Sequence, residues 1–178
     1  EINTDILIVG SGLVGLVAAH CLSALKYNVT LVDKKKFTNS GEGLKDTRTV
    51  AISEGSKEFL DKLALWKELK QHVQPIKKIK VFDRRPLNKI FFENVNQDKK
   101  LGYIIENSKF SKVLRNRLIK NKNFKILFGS EVLDVVLNKN SSVTYLKNKK
   151  INAKLIIAAD GKNSYIRKIA GNKTYKKY

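Results

Sequence analysis

The sequence predicts a Rossmann-type α/β fold, in which a parallel sheet binds a dinucleotide at the carboxyl ends of its strands. Three observations support this prediction. A Gly-x-Gly-x-x-Gly motif at 10–15 lies between a strand pattern and a helix pattern, Asp33 ends the next strand, and a later buried strand runs into Asp160-Gly161. A strand, a glycine-rich turn, a helix and a second strand within about 30 residues form the βαβ unit that begins such folds.

The first elements follow from hydrophobic patterning. Residues 5–9 (DILIV) form a short apolar run that stops at a glycine, which is typical of a buried strand. Residues 13–25 are apolar with small side chains and are long enough for a helix. The β-branched residues 28–32 (NVTLV) predict a second strand, and the polar residues 34–47 predict a loop.

The middle of the chain carries both helical and strand patterns. Ser53 has the character of an N-cap, and the apolar spacing after it predicts a helix to about Leu69. Short strands are predicted at 49–52, 76–82, 90–92 and 101–105. We interpret residues 74–106 as a β-rich, substrate-side segment inserted within the nucleotide-binding domain.

The last third of the chain returns to an α/β pattern. Ser108 begins a predicted helix whose apolar residues recur at 3.6-residue spacing through Leu118. The remaining predicted elements are a strand at 124–128, a hairpin of 132–137 with 143–146, a buried strand at 155–159 and a short helix at 164–170.

The composition is strongly basic. The 178 residues include 36 Lys and Arg against 16 Asp and Glu, which gives a net charge of +20, and 30 of the 36 are lysines spread along the chain. Because nucleic-acid readers exploit the bidentate Arg fork, we predict no nucleic-acid partner. We interpret the charge as solvated faces, with attraction to an anionic membrane surface as the alternative. No stretch approaches the ~20 apolar residues of a membrane-spanning helix.

Each glycine of the first motif has a physical reason. Gly10 allows the tight turn, Gly12 lets the backbone approach a pyrophosphate at the helix N terminus, and Gly15 permits close helix–strand packing. Asp33, 23 residues after Gly10, is placed to accept hydrogen bonds from both ribose hydroxyls of an adenosine. It would repel a 2′-phosphate, so NADP is not expected in this site. The alternative is a glycine-rich turn with a surface aspartate.

The second motif follows the strand at 155–159. Asp160-Gly161 is followed by Ser164 and Arg167 at intervals of three. A buried aspartate at a strand end can hold hydroxyl and backbone donors, and Gly161 lets the chain turn. The alternative is an ordinary β-turn followed by a helix N-cap.

The third feature is the segment 46–53 (DTRTVAIS). Arg48 is one of six arginines, and its planar bidentate donor suits a phosphate, whereas the alternative is a surface arginine paired with Asp46. Three further patterns follow in order, and each alone is typical of core residues. They are 63–66 (LALW), 75–83 (PIKKIKVFD) and 101–107 (LGYIIEN).

Together these motifs resemble the class A FAD monooxygenases, the flavoprotein hydroxylases of aromatic rings. The Asp160-Gly161 motif resembles their Asp-Gly fingerprint. The segment 46–53 and the three further patterns are similar to the D-x-R-x-x-A-L-S, L-G-L-W, P-I-x-x-(I/M)-x-V-x-D and L-G-Y-(I/V)-V-E-N segments of the ubiquinone-biosynthesis branch. The resemblance covers residues 4–171. Asp33 stands where many of these hydroxylases use Glu, and either acid can serve the ribose.

The resemblance implies an FAD cofactor and a redox reaction. NAD(P)H, a transient electron donor, would reduce FAD, and the reduced flavin would capture dioxygen as a C4a-hydroperoxide. One hydroxyl would then pass to an aromatic ring, expected to be a polyprenylated phenol of ubiquinone biosynthesis. Two alternatives stay open: another flavin oxidoreductase of the same fold, such as a prenyl reductase or a halogenase, or a non-catalytic nucleotide-binding module.

The resemblance also implies the site residues. The glycine motif would hold the ADP part of FAD, Arg48 its diphosphate, and the Asp-Gly turn would lie near the FAD and the path of NAD(P)H. Tyr103 is expected as a polar handle on an apolar substrate wall. No catalytic acid or base and no metal site are predicted. The predicted cofactor-binding residues are Gly10, Ser11, Gly12, Leu13, Val14, Gly15, Asp33, Lys34, Arg48, Asp160 and Gly161.

Such hydroxylases are roughly twice this length, beyond one compact domain. Their later Gly-Asp motif is missing from the sequence, so we interpret residues 1–178 as the FAD-binding domain at the N terminus of a longer enzyme, inactive alone. A compact standalone homologue is the alternative. The single cysteine fits a cytoplasmic protein. We expect peripheral contact with the inner membrane, and a biosynthetic complex as a partner. The ring position, the choice of NADH or NADPH and the oligomeric state are not predicted.

Overall fold

A computed structural model describes residues 1–36, 47–82, 89–94 and 100–171 of the chain. The chain divides into two compact units. The first, here called the glycine-motif unit, comprises residues 1–43 and 114–178, and the second, the middle unit, comprises residues 44–113. The segment 74–106 lies within the middle unit, and its interpretation as a substrate-side insertion stays a prediction.

Strands and helices are numbered in chain order over the described residues. The strands are β1 (Ile2–Val9), β2 (Val29–Asp33), β3 (Thr49–Ile52), β4 (Val73–Ile76), β5 (Lys78–Phe82), β6 (Lys89–Glu93), β7 (Gly102–Glu106), β8 (Phe124–Phe128), β9 (Val132–Leu137), β10 (Ser142–Leu146) and β11 (Lys149–Ala158). The helices are α1 (Leu13–Ala24), α2 (Glu54–Lys62), α3 (Trp66–Leu69), α4 (Asn107–Leu118) and α5 (Tyr165–Ile169), with a 3-10 turn at Lys70–His72.

The glycine-motif unit is built on a six-stranded sheet with the order β8-β2-β1-β11-β10-β9. The four strands from β8 to β11 are parallel, and β10 and β9 extend the sheet antiparallel. Residues 6–9 of the central strand β1 are all buried, as are residues 29–32 of β2. A strand covered on both faces needs a continuous apolar run, which is why both strands could be recognised from the sequence.

Strand β11 is longer than the predicted strand at 155–159. Its first half pairs antiparallel with β10, and from Ile151 to Ala158 it pairs parallel with β1. The strand begins in the polar residues Lys149-Lys150, whose side chains are exposed. Apolar patterning therefore identified only the half of β11 that ends at the motif.

The middle unit contains a three-stranded antiparallel sheet with the order β3-β7-β4. Helices α2 and α3 precede β4 in the chain. Ser53 caps α2 as predicted, since its side chain accepts a hydrogen bond of 3.2 Å from the Ser56 N–H. Leu65, Leu69 and Ile105 supply fully buried side chains.

Two predicted elements are divided in the structure. The predicted helix to Leu69 breaks between α2 and α3, where Ala64 adopts a left-handed φ of 56°. The predicted strand 76–82 breaks at Lys77, because β4 pairs with β7 whereas β5 pairs with β6. Both breaks lie within continuous polar–apolar patterns, so periodicity alone did not reveal them.

Strands β5 and β6 form a separate two-stranded ribbon. Its pairing places Ile79 opposite Phe92 and Val81 opposite Ile90, so these four side chains share one face, and each is 40–56% exposed. On the other face, the ammonium groups of two lysines lie 6.0 Å from aromatic ring centroids, Lys80 over Phe91 and Lys89 over Phe82. A two-stranded hairpin alone is only marginally stable in water.

The break at Ala64 leads to a stability prediction. Because glycine adopts positive φ without the steric cost that a Cβ imposes, Ala64→Gly should raise the free energy of unfolding by about 1 kcal/mol. The exposed Ala24, the last residue of α1, provides a matched control. Ala24→Gly should lower stability by a similar amount, since that position is helical. Urea unfolding of both variants checks the pair, and a destabilised Ala64→Gly would contradict it.

Candidate cofactor site

The glycine turn lies where three parallel strands end. The Gly10 N–H donates to the Val32 carbonyl at 2.8 Å, and the Ala159 N–H donates to the Val9 carbonyl at 2.8 Å. The carboxyl ends of β1, β2 and β11 therefore meet beside the N terminus of α1. This edge of a doubly wound sheet is where such folds bind ligands.

Gly10 is required by both conformation and contact. Its φ is +107°, which residues with a Cβ rarely adopt. A Cβ there would overlap the Ala159 carbonyl oxygen and lie 2.9 Å from the Asp160 nitrogen. The approach of β11 thus adds a reason for Gly10 beyond the tight turn inferred from the sequence.

Gly15 and Gly12 differ in their surroundings. A Cβ at Gly15, which is buried in the first turn of α1, would overlap the Gly10 carbonyl oxygen and lie 3.3 Å from the Ala159 Cβ. A Cβ at Gly12 would meet nothing within 4 Å. Gly15 therefore allows the helix to pack closely on the turn, whereas Gly12 faces open space.

The N terminus of α1 is not capped by a side chain. Gly12 is its N-cap, with φ −65° and ψ 175°, and within the described chain no side chain makes a capping hydrogen bond to it. The first turn contains no acidic residue, and Val14 in that turn is 75% exposed. The orphan N–H groups and the positive end of the helix dipole make this turn suited to an anion such as a diphosphate.

Asp33 is held against the glycine turn. Its Oδ2 accepts hydrogen bonds from the Ser11 N–H at 2.7 Å and the Ser11 hydroxyl at 2.6 Å, and its Oδ1 accepts from the Lys35 N–H at 2.8 Å. Burial alone would raise the pKa of this carboxyl, but the hydrogen bonds from Ser11 and Lys35 outweigh it and lower the pKa. Asp33 is therefore an ionised acceptor beside the uncapped first turn of α1, and Lys34 next to it is exposed.

Asp160 caps helix α5. Its Oδ2 accepts from the Tyr165 N–H at 2.6 Å and the Ile166 N–H at 3.3 Å, while the Ser164 hydroxyl accepts from the Arg167 N–H at 3.0 Å. The chain turns at Gly161, where φ is +85°. The structural alternative for this motif, a turn followed by a helix N-cap, thus accounts for the Oδ2 atom of Asp160.

The second oxygen of Asp160 has a different environment. Oδ1 is buried, and none of the described residues donates a hydrogen bond to it. A buried carboxylate oxygen without a donor is costly, so a donor from a bound molecule would be favourable here. Asp160 therefore has a structural role and an open acceptor at the same time.

Arg48 lies in the middle unit, just before β3. Its carbonyl accepts a hydrogen bond of 3.0 Å from the Asn107 N–H at the start of α4. The Asn107 Oδ1 is buried and has no hydrogen-bond partner among the described residues. The sequence pattern predicts this helix from Ser108, one residue after its start in the structure. The only sequence signal for Asn107 is a polar residue between a strand pattern and a helix pattern, so the sequence analysis does not identify it as a candidate site residue. Asp46, the alternative partner of Arg48, lies outside the described residues.

Tyr103 is packed within the middle unit. Its ring lies edge-on to Trp66, with ring centroids 4.9 Å apart and planes at 64°. The Lys57 ammonium lies 5.8 Å from the Tyr103 ring and 5.9 Å from the Trp66 ring. The ring of Tyr103 thus has packing partners of its own, and its expected role toward substrate stays a prediction.

With this geometry established, comparison with known proteins identifies the family. The sequence matches the FAD binding domain family over residues 3–177. The chain belongs to this family. The fold and the FAD cofactor that the resemblance implied are thereby confirmed.

Similar proteins include several ubiquinone hydroxylases. The chain is 28% identical to the ubiquinone hydroxylase UbiM of Neisseria meningitidis over 96% of this chain and 39% of that protein. It is 27% identical to the 3-demethoxyubiquinol 3-hydroxylase of Escherichia coli, over 94% of this chain and 44% of that protein. The chain thus spans about two fifths of the length of the curated relatives it matches.

Solved structures share the fold. The p-nitrophenol 4-monooxygenase PnpA of Pseudomonas putida superposes with a TM-score of 0.78 at 19% identity, over 96% of this chain and 44% of that one. The flavin-dependent monooxygenase PieE, in complex with FAD and substrate, superposes with a TM-score of 0.79 at 16% identity, over 96% of this chain and 32% of that one. At these identities the likeness shows the fold.

The residues of the glycine-motif unit fit FAD. The uncapped first turn of α1 suits the diphosphate, and the space at Gly12 leaves room for its approach. The ionised Asp33 and the unpartnered Asp160 Oδ1 offer acceptors to hydroxyl or N–H donors. Among the described residues, no group of His, Cys, Asp and Glu is placed to hold a metal ion. None of the helices in the described ranges has the length and hydrophobicity of a membrane span.

The different surroundings of Gly12 and Gly15 lead to a paired prediction. Gly12→Val should leave the free energy of unfolding within about 1 kcal/mol, because the backbone there is extended and the space is open. It should nevertheless weaken FAD binding at least about tenfold, since the side chain would occupy the space a diphosphate needs. Flavin fluorescence titration and thermal melting of the apoprotein measure the two effects.

Gly15→Ala is the matched control for that prediction. Its Cβ would overlap the Gly10 carbonyl, so the apoprotein should lose about 1–3 kcal/mol of stability. If Gly12→Val bound FAD as tightly as the parent chain, the diphosphate would not lie at this turn.

Proposed function

We propose that this chain is the cofactor-binding part of an FAD-dependent monooxygenase that hydroxylates an aromatic ring in ubiquinone biosynthesis. The observation that carries the proposal is the uncapped N terminus of α1 beside an ionised Asp33, in a chain that belongs to the FAD binding domain family. The names of the relatives supply the reaction class, since two of them are ubiquinone hydroxylases and a third is a 3-demethoxyubiquinol 3-hydroxylase.

The residues of this chain bind and orient, and bound FAD supplies the redox chemistry by taking electrons from NAD(P)H and activating dioxygen. The N–H groups in the first turn of α1 hold the diphosphate. Asp33 accepts from a ribose hydroxyl, and its charge disfavours a 2′-phosphate there. Asp160 accepts a donor at Oδ1 while its Oδ2 holds α5 in place. The role of Arg48 toward the diphosphate stays a prediction.

The substrate we propose is a phenol with a polyprenyl tail. Ubiquinone precursors combine a polar ring with a long apolar chain, so an enzyme that acts on them needs apolar surface as well as a flavin. The ribbon of β5 and β6 offers such surface, since Ile79, Val81, Ile90 and Phe92 share one exposed face.

The function is tested with the protein expressed from its complete reading frame. With FAD, a nicotinamide donor and a short-chain prenylated phenol, we expect donor oxidation that depends on the phenol. We also expect one atom from ¹⁸O₂ in the product, as measured by mass spectrometry. Gly12→Val is the control, and both signals should fall with its FAD content.

Three other outcomes would contradict the hydroxylase. Donor oxidation with a saturated prenyl chain and no ¹⁸O would indicate a prenyl reductase. Halide incorporated into the ring would indicate a halogenase. Tight FAD binding with no donor oxidation across a panel of phenols would indicate a non-catalytic module.

We also propose peripheral contact with the cytoplasmic side of the inner membrane. The net charge of +20 favours an anionic lipid surface, and the prenyl tail of the proposed substrate is membrane-soluble. The ribbon of β5 and β6 combines exposed apolar side chains with Lys80 and Lys89, so we place the contact there.

Vesicle co-sedimentation of the protein from its complete reading frame tests this contact. Binding to vesicles of phosphatidylcholine with phosphatidylglycerol should exceed binding to phosphatidylcholine alone. A Lys80→Glu, Lys89→Glu double variant should weaken it at least about tenfold, since each basic residue near the surface contributes about 1 kcal/mol. Lys147→Glu with Lys149→Glu, exposed and of equal charge change, is the matched control. Equal binding to both kinds of vesicle would contradict a role of charge in the contact. Equal losses of binding in both double variants would contradict a contact through the ribbon.

A further inference from the structure

Ser11 makes two hydrogen bonds to Asp33, one from its backbone and one from its side chain. The Ser11 N–H donates to Asp33 Oδ2 at 2.7 Å, a bond that any residue except proline at position 11 supplies. The Ser11 hydroxyl donates to the same oxygen at 2.6 Å. Hydrogen bonds this short to a carboxylate are charge-assisted and stronger than neutral ones.

These hydrogen bonds leave one acceptor position of the Asp33 carboxylate free. A carboxylate offers about four lone-pair sites, two on each oxygen. Both positions on Oδ2 are taken by Ser11, and one on Oδ1 is taken by the Lys35 N–H at 2.8 Å. One position on Oδ1 remains, so Asp33 cannot accept from both ribose hydroxyls, as expected from the sequence, while Ser11 holds Oδ2.

We propose that Ser11 is a positioning residue whose hydroxyl fixes the Asp33 carboxylate against the glycine turn, with Oδ1 as the single ribose acceptor. This inference rests on the proposed FAD site. Ser11 acts through Asp33 and not by direct contact with the cofactor. The arrangement lies wholly within the glycine-motif unit and is made by the chain's own groups, so it would present the cofactor with an oriented acceptor.

The ionisation of Asp33 offers a readout that does not need FAD. Burial raises the pKa of this carboxyl, and the hydrogen bond from the Ser11 hydroxyl contributes most to lowering it; the charge of Lys35 acts in the same direction. Loss of the hydroxyl should therefore move the Asp33 pKa upward. Because a depressed pKa stabilises the fold above the ordinary Asp range and that stabilisation fades as the pH falls through the folded pKa, the variant should lose stability at a higher pH.

The experiment compares Ser11→Ala with Ser11→Thr, which keeps a hydroxyl, in this chain. Carboxyl ¹³C NMR of the apoprotein should show a raised Asp33 pKa in Ser11→Ala and a value near the parent's in Ser11→Thr. Flavin fluorescence titration at neutral pH should give an FAD Kd raised about tenfold in Ser11→Ala and within about threefold of the parent in Ser11→Thr. In an Asp33→Ala background, Ser11→Ala should have no further effect on the Kd.

Two results would overturn the proposal. One is an unchanged Asp33 pKa in Ser11→Ala, which would mean that the hydroxyl does not hold the carboxylate. The other is an equal loss of affinity in the parent and Asp33→Ala backgrounds, which would mean that Ser11 contacts FAD directly. If the parent chain itself bound no FAD, the proposed cofactor site would fail, and the NMR titration would still decide whether Ser11 controls Asp33.

Discussion

The candidate site depends on the close approach of three strand ends at Gly10. The Gly10 N–H reaches the end of β2, the Ala159 N–H reaches the end of β1, and the space between them has no room for a Cβ. Because this contact is made by backbone atoms, the turn is set by the sheet and varies little with side-chain conformation. Helix α1 then begins at Leu13, three residues later, and packs through Gly15 onto the Gly10 carbonyl. The position of the uncapped first turn of α1 is therefore a consequence of the sheet itself.

The two helix N termini at this sheet edge are treated differently, and the difference indicates which one is free to bind. The first N–H groups of α5 are satisfied by Asp160 and Ser164 of the chain itself. Helix α1 has no side-chain cap and no acid in its first turn. The nearby anion, Asp33, is bonded through Ser11, just before the helix begins. The carboxylates of Asp160 and Asp33 are thus engaged by α5 and by Ser11. The first turn of α1 stays available to an external anion.

Sequence patterns revealed the parts of this site that depend on buried strands and on glycine. Residues 6–9 of β1 and 29–32 of β2 are buried and mostly apolar, and the reason for each glycine follows from general geometry. Patterns did not reveal features set by tertiary pairing. The polar first half of β11 is a strand because β10 lies beside it, and β4 and β5 separate because their partners differ. The Asn107 Oδ1, unpartnered among the described residues, and the two hydrogen bonds from Ser11 to Asp33 depend on atomic distances, which sequence periodicity does not encode.

The left-handed residue at Ala64 shows how the resemblance and the geometry explain one another. The segment 63–66 resembles an L-G-L-W turn, and the structure places a φ of 56° at the position where that pattern has glycine. The Ala64 N–H donates to the Asp61 carbonyl at 2.8 Å, which ends α2 and lets Leu65 and Trp66 turn into the core. The pattern therefore records a backbone requirement, and alanine meets it at a steric cost. The same reasoning separates the glycines of the first motif. Gly10 and Gly15 serve the fold, whereas no fold contact requires Gly12, which is the glycine we propose to serve the cofactor.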